Sequence, residues 1–159
     1  MFREMRKKTQ SLPRDKIEEI LKRCTAGVLG VHGDDGYPYT VPMTYIYKDN
    51  KLLFHCAKEG HKLDSIEKNN KVSFSVIDKD EIIEDAFTSH YRSVTIFGKA
   101  RIISDENEKQ DAMESVVERF SPDFVKEGLE YIKDQWDKAC VFQIDIEHMT
   151  GKVAKDMVN

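Results

Sequence analysis

The spacing of apolar positions changes several times along the chain, and each change marks an element. Ile17, Ile20, Leu21 and Cys24 recur at i, i+3, i+4 and i+7, which predicts an amphipathic helix over residues 13–24 with Pro13 in its first turn. Thr25 to His32 (TAGVLGVH) reads as a buried strand, and Gly33-Asp34-Asp35-Gly36 as a turn. Tyr39 to Tyr47 is β-branched and aromatic. Pro42 inside it cannot donate to a ladder, so this strand belongs at an edge or carries a bulge. A tight turn, Lys48-Asp49-Asn50-Lys51, leads into a strand over Leu52 to Ala57. A polar loop with Lys58, Gly60, His61 and Lys62 follows, then a helix-like stretch from Leu63 to Asn69.

Strict alternation over Lys71 to Ile77 (KVSFSVI) predicts a half-buried strand, and the acidic run Asp78 to Asp85 a surface loop. Ser89 to Ile103 reads as one long strand that Gly98 can bend. Ser104 is placed to cap a helix over Asp105 to Arg119 with Ala112, Met113, Val116, Val117 and Phe120 inward. Ser121-Pro122 opens a second helix to Gln135, and Ala139 to Ile146 is the last strand. Residues 1–10 and the stretch after Thr150 are expected to be loose tails. Strands come in runs, about six in all, rather than alternating with helices. That favours an antiparallel, mainly β, α+β or barrel-like domain over a doubly wound sheet. Neither GxGxxG nor GxxxxGK[ST] is present, so Rossmann and P-loop readings fall away.

Bulk properties narrow the function. A chain of 159 residues is expected to be a single domain with a real core. The balance of 25 basic and 29 acidic residues gives a net charge of −4, which argues against a nucleic-acid partner. No apolar run reaches the ~20 residues of a membrane span, and Met1-Phe2-Arg3-Glu4 leads into charge rather than a secretory leader. Cys24, Cys56 and Cys140 are scattered and odd in number, as expected for reduced thiols in a cytoplasmic protein.

The chemistry concentrates between Gly36 and Lys62. Glycine, free amide N–H groups and cations at a helix start make a seat for an anion, above all a phosphate. Each residue also has a plainer reading. Exposed charge is the default for lysine, Cys56 suits a small buried hydrophobe, and Tyr45, Tyr47 and Phe54 suit a core. His55, Cys56 and His61 lack the fourth ligand that structural zinc takes.

The runs YPYTVPMTYIY, LLFHCAKEGHKLDSI, SFSVIDKDE and YRSVTIFGKARII resemble the flavin-binding split-barrel proteins related to pyridoxamine 5′-phosphate oxidase, closest to the 5-nitroimidazole-resistance (Nim) type. MFREMRKK and IEHMTGK fit the same subgroup, so the resemblance spans nearly the whole chain. It implies a six-stranded antiparallel split β-barrel with flanking helices, a homodimer, and FMN in clefts between subunits. By position, Val41, Pro42, Met43, Thr44 and Tyr45 would lie along the isoalloxazine ring, and His55, Cys56 and Ala57 along the ring and ribityl chain. Lys58, His61 and Lys62 would hold the phosphate, with Gly60 allowing close backbone approach. Arg92, Ser93 and Val94 would approach the same FMN, from the partner subunit. His55 is the candidate proton donor.

The chain departs from the vitamin B6 oxidases at Tyr39-Thr40-Val41, where they carry a basic residue, and lacks their arginine and histidine pattern near the C-terminus. The expected activity is therefore reduction of small electron-poor molecules such as nitroimidazoles rather than pyridoxamine phosphate oxidation. The alternatives are a non-enzymatic flavin carrier or redox sensor, and a haem-binding split barrel with His55, His61, His90 or His148 as axial ligand.

Overall fold

A computed structural model describes residues 1–158. Its strands are β1 (Ser11–Leu12), β2 (Ala26–His32), β3 (Pro38–Thr44), β4 (Ile46–Lys48), β5 (Lys51–Ala57), β6 (Lys71–Ile83), β7 (Thr88–Ile102) and β8 (Ala139–Val153). The helices are α1 (Arg14–Arg23), α2 (His61–Lys68), α3 (Glu106–Phe120) and α4 (Val125–Gln135). All strands join one antiparallel sheet in the order β3-β2-β6-β7-β8-β5-β4, with β1 added against β8. The expected split barrel with flanking helices is this structure. Two short strands, β1 and β4, stand beyond the expected six.

The barrel is curled by a strand that changes partner. The single stretch expected over Tyr39–Tyr47 is cut at Tyr45: β3 pairs with β2 and β4 pairs with β5, at opposite ends of the sheet. Tyr45 makes the corner. Its ring is 2% exposed, its N–H donates to the Thr25 carbonyl at 3.1 Å and its hydroxyl donates to the Leu21 carbonyl at 3.0 Å. Inside, Phe54 stacks on Phe142 with centroids 4.7 Å apart, and meets Phe74 edge-on at 5.2 Å. A smaller cluster, with Met113, Ile132 and Val141, lies where α3 and α4 pack on the outer face of β5 and β8.

Several boundaries move for physical reasons. Asp78 to Ile83 is strand, not loop: after a bulge at Asp78, β6 continues paired with Thr88–Arg92, because a two-stranded arm can leave both faces in water. The ladder between β7 and β8 shifts register between Phe97 and Gly98, the expected bend. A side chain at Gly98 would collide with the Asp145 carbonyl. Asp105, not Ser104, caps α3, accepting from the Glu108 N–H at 2.9 Å. Pro13 is the N-cap of α1 rather than its first residue.

The tails are more ordered than expected. Gln10 is buried and its amide donates to the Val153 carbonyl at 3.1 Å. β8 runs past Ile146 and Thr150 to Val153, which β7 pairs at Arg92, and Ala154 is buried. Asn159 lies outside the described residues.

Candidate functional site

The two ends of the sheet leave a split, and the residues flanking it are those of the Gly36–Lys62 segment. β3 is an edge strand, as Pro42 required. Tyr39, Val41 and Met43 turn inward onto the core, while Thr40, Pro42 and Thr44 are exposed. On the other side β4 covers only Lys51–Leu53 of β5, so the edge over Phe54–Ala57 has no strand against it. An edge strand carries a row of unpaired N–H and C=O groups. α2 fills the gap, burying Leu63 and Ile66 in the core. The outer side of β3 borders a cavity of about 680 Å³ lined by Thr40, Gly30, Ser73 and Phe97, within the size range of ligand pockets.

α2 starts at His61, two residues before the expected Leu63, so the polar loop is itself the helix entry. Gly60 is its N-cap with φ +142°, a conformation that side chains oppose although the space around it is open. The Gly60 carbonyl accepts from the N–H groups of Leu63 and Asp64 at 2.9 and 3.2 Å. The N–H groups ahead of them have no intrahelical acceptor, and no side chain caps them. Lys58 is exposed and Lys62 half-buried. Lys58 lines a cavity with Leu63 and Cys140 at the end of β5.

His61 is committed elsewhere. Its Nε2 lies 3.5 Å from an Asp34 carboxylate oxygen, and its ring stacks on Tyr39 at 4.1 Å between centroids. Lys68 reaches the same carboxylate at 3.1 Å, and the pairing holds Asp34 below the usual carboxylate range. Asp34 and Tyr39 thus tie the start of α2 to the start of β3. Of the residues expected to hold a phosphate, His61 is thus engaged, while Lys58 and Lys62 make no ion pair among the described residues.

Other expected site residues are placed away from this seat. Tyr45 is the buried corner and Val94 is fully buried, so neither side chain can line a cofactor cleft. Burial also raises the Tyr45 hydroxyl pKa. His55 is exposed on the outer face of β5, beside the α3–α4 side of the barrel. Cys56 faces the core, and burial pushes its thiol up to about 11. Ala57 closes β5 just before Lys58. Ser93 pairs with Ile77 and Lys152. His148, one of the candidate haem ligands, stacks under Phe2 at 4.8 Å.

Arg92 sits at the far end of the barrel, level with Val153, whereas Ala57 is level with Ala139 at the start of β8. Its Nε donates to Asp78, whose side chain is only 4% exposed and which also receives both Nε and Nη2 of Arg23 at 2.8 and 2.7 Å. Burial alone would push the Asp78 carboxyl up. The hydrogen bonds from Arg23 and Arg92 outweigh it and leave the group below its ordinary value. Asp34, Tyr39 and Asp78 had no signal in the sequence, because each acts across a long loop or a bulge.

An antiparallel barrel split beside a cationic helix start defines the split-barrel class of proteins. The chain belongs to the pyridoxamine 5′-phosphate oxidase family, whose sequence profile matches residues 13–153. No curated protein matches it significantly. Among solved structures it resembles a candidate 5-nitroimidazole antibiotic resistance protein from Bacteroides thetaiotaomicron, 24% identical over 90% of this chain and 86% of that one, with TM-score 0.71. A conserved hypothetical protein from Mycobacterium tuberculosis is 19% identical over 97% and 92%, with TM-score 0.82. An FAD-binding protein from Mesorhizobium loti is 23% identical over 91% and 97%, with TM-score 0.66. At these identities the shared property is the fold. No helix among the described residues is long and apolar enough to cross a membrane, and no group of three or more metal-ligating side chains gathers among them.

Proposed function

We propose that the protein is an FMN-binding oxidoreductase that reduces small electron-poor molecules, with nitroimidazoles as the model substrates. The observation that carries this reading is the free edge of β3 lying beside the glycine-capped, lysine-flanked start of α2. A flat ring with polar edges needs backbone donors and acceptors along one side, and an edge strand supplies them. A dianionic phosphate needs charge-assisted donors, and Lys58, Lys62 and the first α2 N–H groups supply them. The flavin-binding neighbours on the same fold support the cofactor class.

FMN, when bound, supplies the hydride and electron transfer. The chain's own part is to bind, orient and shield. Thr40, Val41, Pro42 and Met43 present the strand edge, Lys58 and Lys62 hold the phosphate, and Gly60 lets the backbone approach it. Exposed His55, two residues before the end of β5, is the candidate proton donor.

The second wall of the cleft comes from a second copy of the chain. Ile77 (68% exposed), Ile82 (70%) and Phe87 (96%) leave an apolar surface on the β6–β7 arm that a homodimer would cover. Sizing chromatography is expected to give a dimer, and a monomer at micromolar concentration would count against the two-chain cleft. The test of the cofactor is titration with FMN, FAD and riboflavin, followed by fluorescence quenching. FMN should bind at least tenfold tighter than riboflavin, which lacks the phosphate. A protein that binds none of the three overturns the reading.

A further inference from the structure

Cys56 and Cys140 are scattered in sequence but directly opposed in the sheet. They are register partners on β5 and β8, both pack on the main core cluster, and neither is in a disulfide. Directly opposed residues of an antiparallel pair have Cα atoms about 4.5 or 5.5 Å apart, and both values fall inside the ~4.4–6.8 Å that a disulfide spans. Directly opposed residues of an antiparallel pair carry their side chains on the same face of the sheet, so the two thiols share one side of it. One of them is open to reagents: Cys140 lines a cavity of about 460 Å³ together with Lys58, Lys109 and Trp136. The remaining cysteine, Cys24, lies apart, its thiol donating to Asp78 at 3.4 Å.

We propose that Cys56 and Cys140 form a dithiol site that closes to an intrachain disulfide by exchange with a low-molecular-weight disulfide. The Cys140 thiolate attacks one sulfur of the small disulfide, and the first small thiolate leaves and takes a proton. Cys56 then loses its proton and attacks the Cys140 sulfur, expelling the second small thiol. Two protein thiols are oxidised and one small disulfide is reduced to two thiols. Burial raises the Cys140 thiol pKa, and the nearby Lys109, Lys58 and Lys62 offset that rise without reversing it, so the exchange needs alkaline pH. Burial holds both thiols protonated at neutral pH. The bond would pin the end of β5 from which Lys58 departs.

The experiment is oxidised glutathione added to the folded Cys24→Ser protein at mildly alkaline pH, read by intact mass and a peptide map under denaturing, non-reducing conditions. The expected product has lost two hydrogen atoms and joins the Cys56 and Cys140 peptides. In the Cys24→Ser background, Cys56→Ser should stop at a single glutathione adduct on Cys140, and Cys140→Ser, which lacks the attacking thiol, should stay unmodified. Phenylarsine oxide, which bridges two close thiols, should bind one per chain in the Cys24→Ser protein and none in either single-thiol variant. Separate adducts on both cysteines without a cross-link, or failure of the arsenical to bind the folded protein, overturns the proposal. These readouts need no flavin, so they fail or succeed independently of the cofactor assignment.

Discussion

The two ends of the barrel use the same kind of charge in opposite ways. At one end Arg23 and Arg92 converge on Asp78, a carboxylate almost without solvent, at the bulge where β6 leaves the barrel. At the other end Lys58 and Lys62 stand at the start of α2, and neither makes an ion pair among the described residues. The first group is closed on itself and holds α1 to the β6–β7 arm. The second is left open beside backbone donors, which is what the proposed anion site requires. A cation reveals its role by whether the fold already supplies its counter-charge.

The largest effect expected from breaking this contrast is on stability at the Asp78 end. Asp78→Asn leaves two guanidiniums without their shared carboxylate. Removing one member of a buried pair costs on the order of 3–5 kcal/mol. Arg23 and Arg92 reach solvent, so the lower end applies, about 3 kcal/mol and roughly 10 °C in Tm. Since folding lowers the Asp78 pKa, its contribution is fully present above the ordinary carboxylate value and fades as pH falls through the lower folded one. Urea titrations from pH 7 to pH 3 should therefore show the parent converging on the variant in acid. FMN affinity should be unchanged at neutral pH.

The converse substitution, Lys62→Glu, should spare stability and remove the ligand. Lost attraction and added repulsion at a phosphate together amount to about 2 kcal/mol or more, roughly thirtyfold in Kd, with a shallower salt dependence. Equal FMN binding by parent and variant would move the phosphate away from α2.

How far the sequence reveals the two ends follows from the range of the interactions. Gly60, Lys58 and Lys62 announce themselves because strand, loop and helix are consecutive, and the local pattern contains the whole motif. Pro42 likewise carries its edge position within itself. The alternation of Tyr39 to Thr44 stops at Tyr45-Ile46-Tyr47, three apolar residues in a row, but only closure of the barrel shows that the strand there changes partner. His61 reads as a phosphate ligand until Asp34, brought back by the β2–β3 turn, takes its imidazole. Asp78 sits in an acidic run that looks solvated, and its burial depends on Arg23 from α1 and Arg92 from β7. Local chemistry was legible, and the counter-charges that decide its use were not.

A smaller effect belongs to Gly60→Ala. The space around the glycine is open, so the strain is purely conformational, of order 1–3 kcal/mol for a side chain at such a φ. Because the loop can relax into solvent, about 1 kcal/mol should appear as lost stability. The rest should appear as weaker FMN binding with riboflavin binding little changed, a split that titration of both ligands measures.

The smallest effect separates a closed cation from an open one most sharply. Arg92→Gln removes one of two guanidiniums on Asp78, and Arg23 keeps both of its hydrogen bonds to the carboxylate. Arg92 is about one-third exposed, so screening holds the loss to about 1 kcal/mol or less. The resemblance places Arg92 near FMN, while the fold gives it a structural partner at the opposite end of β8 from Lys58. If the contrast between the two ends holds within the dimer, Arg92→Gln lowers Tm by a few degrees and leaves FMN affinity within twofold of the parent. A tenfold loss of FMN affinity at unchanged Tm would mean that the partner's barrel brings its closed end into the cleft, and that Arg92 serves a ligand after all.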